Sequence, residues 1–215
     1  ALGPALYGVY GTVAAFIMVG SAVPNFGMGP IVVRDVARYP DKAGKYLTAT
    51  LFMQTLLALL AYIGLNAAAG LGGYNEAVRA FVAIASISLI VDIIGSMCND
   101  ILLAQERMAA SSVVSVGYVV LLVALAGLGL AAGYGLFGVY VSTIIAGVVR
   151  SAALWLLLWR GGTRPVWPFD RATAWPLLLN GAPLALGAFL ALAYQHADKL
   201  LTNRLIGNTE TGYLS

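Results

Sequence analysis

The sequence predicts an all-α integral membrane protein, and three observations carry that prediction. Of the 215 residues, 60% are hydrophobic and only 10% are charged. Mean hydropathy is +0.88. Six apolar stretches each match or exceed the roughly 20 helical residues that cross a hydrocarbon core of about 30 Å. Soluble domains carry about a quarter charged residues, so a water-soluble globule is excluded. In lipid every backbone polar group must be paired internally, which a helix does by itself.

The spans follow in order. The first runs from Leu6 to Met28 and closes in Pro24-Asn25-Phe26-Gly27-Met28-Gly29-Pro30. Proline removes a backbone donor and glycine loosens the helix. This passage therefore predicts either an unwound stretch whose freed carbonyls turn to a cavity, or a plain helix end before a basic loop. That loop carries Arg34, Asp35, Arg38, Lys42 and Lys45, and its positive charge suits a lipid diphosphate or an anionic leaflet. The second span is Tyr46 to Gly70. The third, Val78 to Leu102, places Ser88, Asp92, Ser96 and Asn99 on one helical stripe, so one face is wet or paired. The fourth, Ala109 to Ala132, leads into Gly129-x3-Gly133, a spacing suited to close helix packing. The fifth is Leu136 to Trp159 and contains Arg150. The sixth is Pro183 to Asn203. Its second half gathers Tyr194, Gln195, His196, Asp198, Lys199, Thr202 and Asn203 on a broad arc, which either lines an aqueous vestibule or marks the helix emerging among headgroups.

Charge alternates between the connections. Arg34, Arg38, Lys42, Lys45, Arg107, Arg160, Arg164 and Arg171 fall in the first, third and fifth loops, against Arg79, Lys199 and Arg204 on the other side. By the positive-inside rule the odd loops face the cytoplasm and both chain ends face outward. An N-terminus on the outer side without a signal sequence, beginning at Ala1, suggests a fragment with a preceding span missing. The net charge of +3 is too dilute for nucleic acid to be a partner. Cys98 and His196 are the sole residues of their types, too few for a disulfide, a zinc site or a metal cluster. No catalytic residue, metal or bound cofactor is expected.

Two distant passages match. Gly3 and Gly8 lead to Tyr10, and Gly207 and Gly212, with the same spacing, lead to Tyr213. Six spans lie between them, so both occupy the same face, as parallel repeats in a transporter would.

Three stretches carry a resemblance. They are Leu2-Gly3-Pro4-x-x-Tyr7-Gly8-x-Tyr10, the passage Phe26-Gly27-Met28-Gly29 to Val33-Arg34-Asp35-Val36-Ala37-Arg38, and Ala182-Pro183 to Tyr194-x3-Asp198 to Gly207-x4-Gly212-Tyr213. In order and spacing the chain resembles the polysaccharide flippases, the O-antigen and lipid-linked oligosaccharide exporters. Their superfamily also includes multidrug extruders and lipid II flippases. The resemblance implies 12 to 14 helices in two bundles around a cavity. Residues 1–159 would then hold helices two to six of the first bundle, 160–174 a cytoplasmic linker, and 175–215 the start of the second bundle and an outer loop.

Charge in hydrocarbon costs at least about 2.5 kcal/mol on insertion scales and turns toward protein or water. Asp92 lies roughly 15 Å and Arg150 roughly 14 Å from the same face at helical rise. Equal depth permits an ion pair. That pair is a structural clamp, or Arg150 binds a diphosphate with its bidentate fork, or Asp92 takes up a proton or sodium ion. His196 is a second candidate for ion coupling, and Asp198, Lys199 and Arg34 are further candidates for substrate contact.

The leading expectation is a flippase of the inner, cytoplasmic membrane. It would move a polyprenyl-diphosphate-linked oligosaccharide by alternating access, alongside polysaccharide polymerase machinery. A cation-coupled multidrug exporter, a membrane-embedded glycosyl or acyl transferase and a structural subunit are the alternatives. The carboxylates are scattered singly, which disfavours the transferase.

Overall fold

The computed structural model describes residues 4–205, with no account of side chains at 4–5, 188–189, 192–193 and from 195 onward. Among the described residues the regular structure is entirely helical: α1 (Pro4–Asn25), α2 (Met28–Arg38), α3 (Ala43–Leu71), α4 (Glu76–Ala85), α5 (Ile87–Ala104), α6 (Met108–Ala131), α7 (Gly135–Arg160) and α8 (Arg171–Leu205), with a short 3-10 turn at Pro40–Lys42. Five stretches are long and apolar enough to cross a membrane: Leu6–Arg38, Pro40–Leu71, Glu76–Ala104, Met108–Ala131 and Gly135–Arg160. This is an all-α, multi-pass membrane protein. The sixth expected span, Pro183 to Asn203, falls within α8, whose side chains there are largely outside the described ones. The second half of the glycine repeat, Gly207 to Tyr213, also lies outside the described residues.

Two spans break where polar or glycine residues interrupt them. α1 stops at Asn25, the chain turns with φ of 39° at Phe26 and 64° at Gly27, and α2 starts at Met28. The segment expected as a basic loop is thus mostly helix, because Met28, Ile31, Val32 and Val36 recur at helical spacing and are buried, while Arg34, Ala37 and Arg38 face out. That stripe packs on α5, and burial of such a face holds a short helix that propensity alone would not. The second break is Ser86, between α4 and α5, inside what sequence alone renders as one span. Its hydroxyl donates to Ala83 O at 3.2 Å and accepts from Asn66 Nδ2 at 3.3 Å, and Ser88 Oγ donates to Ala85 O at 2.8 Å. Side-chain bonds of this kind compete with the backbone ladder and bend helices.

Two apolar clusters form the core. One gathers Met28, Val32, Leu47, Met97, Ile101, Leu102, Leu154 and Leu158. The other joins Val9, Val13, Phe16, Val78, Val82, Leu136 and Tyr140. α6 stands at the periphery against α7, and Ser111 is its one buried residue. Their closest approach corrects the expectation for Gly129-x3-Gly133. A methyl built on Gly129 would stand 3.3 Å from Cα of Gly138 on α7, whereas one on Gly133 would meet nothing within 4 Å. Gly133, at φ 85°, instead ends α6: its N–H bonds Leu130 O at 3.1 Å and the Tyr134 N–H bonds Gly129 O at 3.0 Å, the pattern of a Schellman cap.

The first, third and fifth loops meet at one end. Val166 N–H donates to Thr48 Oγ1 at 2.9 Å and to Gly44 O at 3.3 Å. Gln105 Nε2 donates to Thr163 Oγ1 at 2.8 Å, and Arg107 Nη1 to Leu157 O at 3.3 Å. The loop cations therefore concentrate at this end. Beyond it α8 begins at Arg171, capped by Asp170: Ala172 N–H and Thr173 Oγ1 each donate to its carboxylate at 2.9 Å. The irregular connection is thus residues 161–170, and the stretch 171–174 expected in the linker is already helix. α8 lies along α1, with contacts to α2 and α3. Its Gly181 meets the break directly: a methyl on Gly27 would stand 2.6 Å from Gly181 O, and one on Gly181 would collide with Phe26 O.

Candidate functional site

The crossing of α5 and α7 builds the site. Small residues let the two helices approach: a methyl on Gly95 would stand 2.9 Å from Ser151 Oγ, and one on Gly147 would stand 3.5 Å from Asp92 Oδ1. Ser151 Oγ donates to Val91 O at 3.0 Å and ties the helices together. Above that tie Arg150 Nη1 lies 3.9 Å from Asp92 Oδ1, an ion pair too long for a hydrogen bond. The guanidinium also lies over the Tyr118 ring, 5.5 Å from its centre, a cation–π arrangement. Its Nε is buried with no hydrogen-bond partner among the described residues.

A polar pocket of about 170 Å³ opens beside this pair, lined by Ser21, Pro24, Asn25, Leu89, Asp92, Ile93, Ser96 and Arg150. It therefore adjoins the last turn of α1 before the break. Ser21 Oγ donates to Met18 O, Asn25 Nδ2 to Ser21 O and Ser96 Oγ to Ile93 O. With both hydroxyl donors committed to their own helices, Ser21 and Ser96 offer lone pairs to the pocket, and Asn25 keeps one amide N–H beside its carbonyl oxygen. Pockets for drug-sized ligands run about 300–1,000 Å³, so this one takes an ion or a phosphate-sized group, not a glycan.

The expected polar stripe divides. Asp92 and Ser96 reach the pocket, Ser88 is turned into its own helix, and the Asn99 carboxamide oxygen accepts from Ser111 on α6. The stripe is not one continuous wet face, because Ser88 is buried with its hydroxyl bonded back across the Ser86 break and Ser111 of α6 meets Asn99. Arg34 is separate from the pair: on exposed α2 its Nε donates to Asp35 Oδ1 at 2.8 Å, and Tyr46 OH donates to the other carboxylate oxygen at 3.2 Å. Asp198, Lys199 and His196 belong to the far part of α8, outside the described side chains. Sequence reasoning missed Asp100. A methyl on Gly29 would stand 2.8 Å from its Oδ2, so this carboxylate sits at the first turn of α2, where unpaired N–H groups and the helix dipole favour an anion. The readable signal was a second acid on the polar helix, eight residues after Asp92, with a glycine-flanked helix start to receive it. Metal binding by clustered His, Cys, Asp and Glu has no candidate group among the described residues.

Fold and site together define a multi-pass membrane protein that holds a charge pair within its spanning helices, beside a broken helix. The profile of the polysaccharide biosynthesis protein family matches residues 1–215, and the chain belongs to that family. Membership supports a polysaccharide-related exporter, in a family whose members are generally transporters rather than enzymes. Comparison with curated proteins and with solved structures finds no match.

Proposed function

We propose that the protein is a flippase that carries a polyprenyl-diphosphate-linked oligosaccharide across the cytoplasmic membrane by alternating access. The observation that carries this reading is Arg150: a cation held at membrane depth, with one edge toward Asp92, its Nε unpartnered and a polar pocket in front of it. A large polar head needs a hydrated, cationic path through lipid, and a guanidinium binds phosphate with two parallel hydrogen bonds at any physiological pH. The cationic end would be cytoplasmic and would receive the diphosphate first. Rocking of α8 and the helices beyond it against the first bundle would turn about the Phe26–Gly27 break. Asp92 is the residue through which a proton or sodium ion would couple, since protonation or ion capture there releases Arg150 to the substrate.

One observation favours a second reading. Asp92 is the more exposed partner, 44% against 22% for Arg150, so the pocket presents an acid to whatever enters it. An exposed carboxylate suits a cationic drug. Three variants separate the readings. Asp92→Asn and Arg150→Gln each leave one charge without its partner and cost about 1–3 kcal/mol, the penalty of an unsatisfied polar group, measured as lost abundance in the membrane. The double variant recovers abundance. If Arg150 binds the diphosphate, the double variant stays export-dead, with lipid-linked oligosaccharide accumulating on the cytoplasmic leaflet. Wild-type export by it would reduce the pair to a clamp. Loss of cationic-dye efflux with intact glycan export would install the drug reading instead.

A further inference from the structure

The groove between α3, the 161–170 connection and the start of α8 belongs to no part of the transport site. Its volume is about 650 Å³, and its walls are Phe52, Met53, Trp167, Phe169, Ala174 and Trp175, with Arg171 at the rim. Phe52 and Phe169 meet across it with ring centres 4.8 Å apart. Trp167 and Trp175 are 69% and 63% exposed, although both are large apolar rings. The connection is not loosely draped: the Val166 N–H is bonded to Thr48 and Gly44, and Asp170 is spent on capping α8. The groove is therefore a built feature.

Its charge is one-sided. Arg171 and Lys45 are exposed, and neither has an ion-pair partner within 4 Å among the described residues. Lys45 lies close enough to Asp170 for its charge to be felt there, which places it beside the first turn of α8 with Arg171. The neighbouring carboxylate of Asp170 points back into that turn, and Arg164, whose guanidinium lies 5.3 Å from the centre of the Trp159 ring, adds a third cation to the same connection. Exposed indoles beneath free cations are the composition of a headgroup boundary, with rings at the interface and charge above it.

We infer that this groove holds an anionic phospholipid of the bilayer, one acyl chain laid along the touching rings of Phe52 and Phe169 and against Trp175, and the phosphate on Arg171 and Lys45. A zwitterionic lipid would fill the apolar walls equally well but would bring its own ammonium to the two cations along with its phosphate. Selectivity thus resides at the rim.

Tryptophan quenching tests it in the full-length protein. With every tryptophan outside the groove replaced by phenylalanine, Trp155 and Trp159 among them, the remaining emission comes from Trp167 and Trp175. In vesicles of phosphatidylcholine carrying a minor fraction of phosphatidylglycerol brominated on its acyl chains, quenching should saturate at a lower mole fraction than with brominated phosphatidylcholine. Arg171→Gln should raise the saturating fraction about fivefold, the effect of one cation near an anionic surface, and Arg171→Lys should retain most of the preference. Retained-lipid counting by native mass spectrometry on the protein with its tryptophans intact gives the same comparison if the replaced protein folds poorly. Equal quenching by both lipids, or a preference indifferent to Arg171→Gln, overturns the proposal. So does displacement of the brominated lipid by stoichiometric polyprenyl phosphate, which would make the groove a seat for the substrate's own tail.

Discussion

Asp170 shows how a single exposed side chain sets an element. Its carboxylate accepts from Thr173 Oγ1 and from the Ala172 N–H, and these bonds, with the nearby Lys45, hold its pKa below the ordinary carboxylate value. A carboxyl depressed in the folded protein adds stability that is fully present above its unfolded pKa, near 3.9, and is lost as pH falls through the lower folded value. Protection of the first turn of α8 from hydrogen exchange, taken against the intrinsic rate at each pH, should therefore fall in acid below about pH 4, and Asp170→Ala should lower it already at neutral pH. Identical exchange in the two proteins would remove the cap from the account. The Asp–x–x–Thr pattern at 170–173 was readable as a helix start from sequence. What concealed it was the proline and tryptophan content just before it, which reads as linker. The pairing of Asp92 with Arg150 was readable too, because equal depth on two helices follows from counting residues. Asp100 was not, since its role depends on α2 being a helix at all.

At the scale of elements, apolar runs located the first five spans; the proline and glycine of the Pro24–Pro30 passage signalled the break at Phe26–Gly27 as one of two readings, and nothing signalled the one at Ser86. A hydropathy window averages over Phe26–Gly27 and over Ser86, because two irregular residues barely change the mean. The contacts that fix the breaks come from helices distant in sequence, Gly181 on α8 in one case and Asn66 on α3 in the other. Gly181 makes a direct test. A side chain there meets the Phe26 carbonyl, which cannot step aside as a flexible side chain would, so Gly181→Val should cost about 1–3 kcal/mol as overpacking and separate α8 from α1. Gly44 is the counterpart at the cationic end, where a methyl would collide with Arg164 O and stand 2.8 Å from Val166 Cγ2. Gly44→Ala should free the 161–170 connection without touching the pocket at Arg150. Protease nicking between 161 and 170 would read that release, and unchanged protection in Gly44→Ala would show that the connection is held by other means.

For the whole molecule the decisive quantity is how charge is divided between its two ends. Contacts among the first, third and fifth loops bring Arg38, Lys42, Lys45, Arg107, Arg160, Arg164 and Arg171 to one end, while the opposite end, around the 72–75 and 132–134 turns, has Arg79 and the acid Glu76. Cations in short loops resist translocation, and these seven outweigh Arg79 together with Lys199 and Arg204, which the loop order assigns to the other side. The cationic end should therefore lie in the cytoplasm. Cys98 is fully buried and is the sole cysteine, so a cysteine introduced at an exposed position can be read without background. Arg164→Cys should react with a membrane-impermeant maleimide only after the cytoplasmic face is opened, whereas Tyr134→Cys and Glu76→Cys should react in intact cells. The transport proposal needs this result more than any local one. A polyprenyl-diphosphate donor assembled in the cytoplasm meets the protein there, and Arg150 can accept its phosphates only if the path begins at the cationic end. Labelling of Arg164→Cys from outside would invert the molecule, put the cations on the release side and turn the same charge gradient against export.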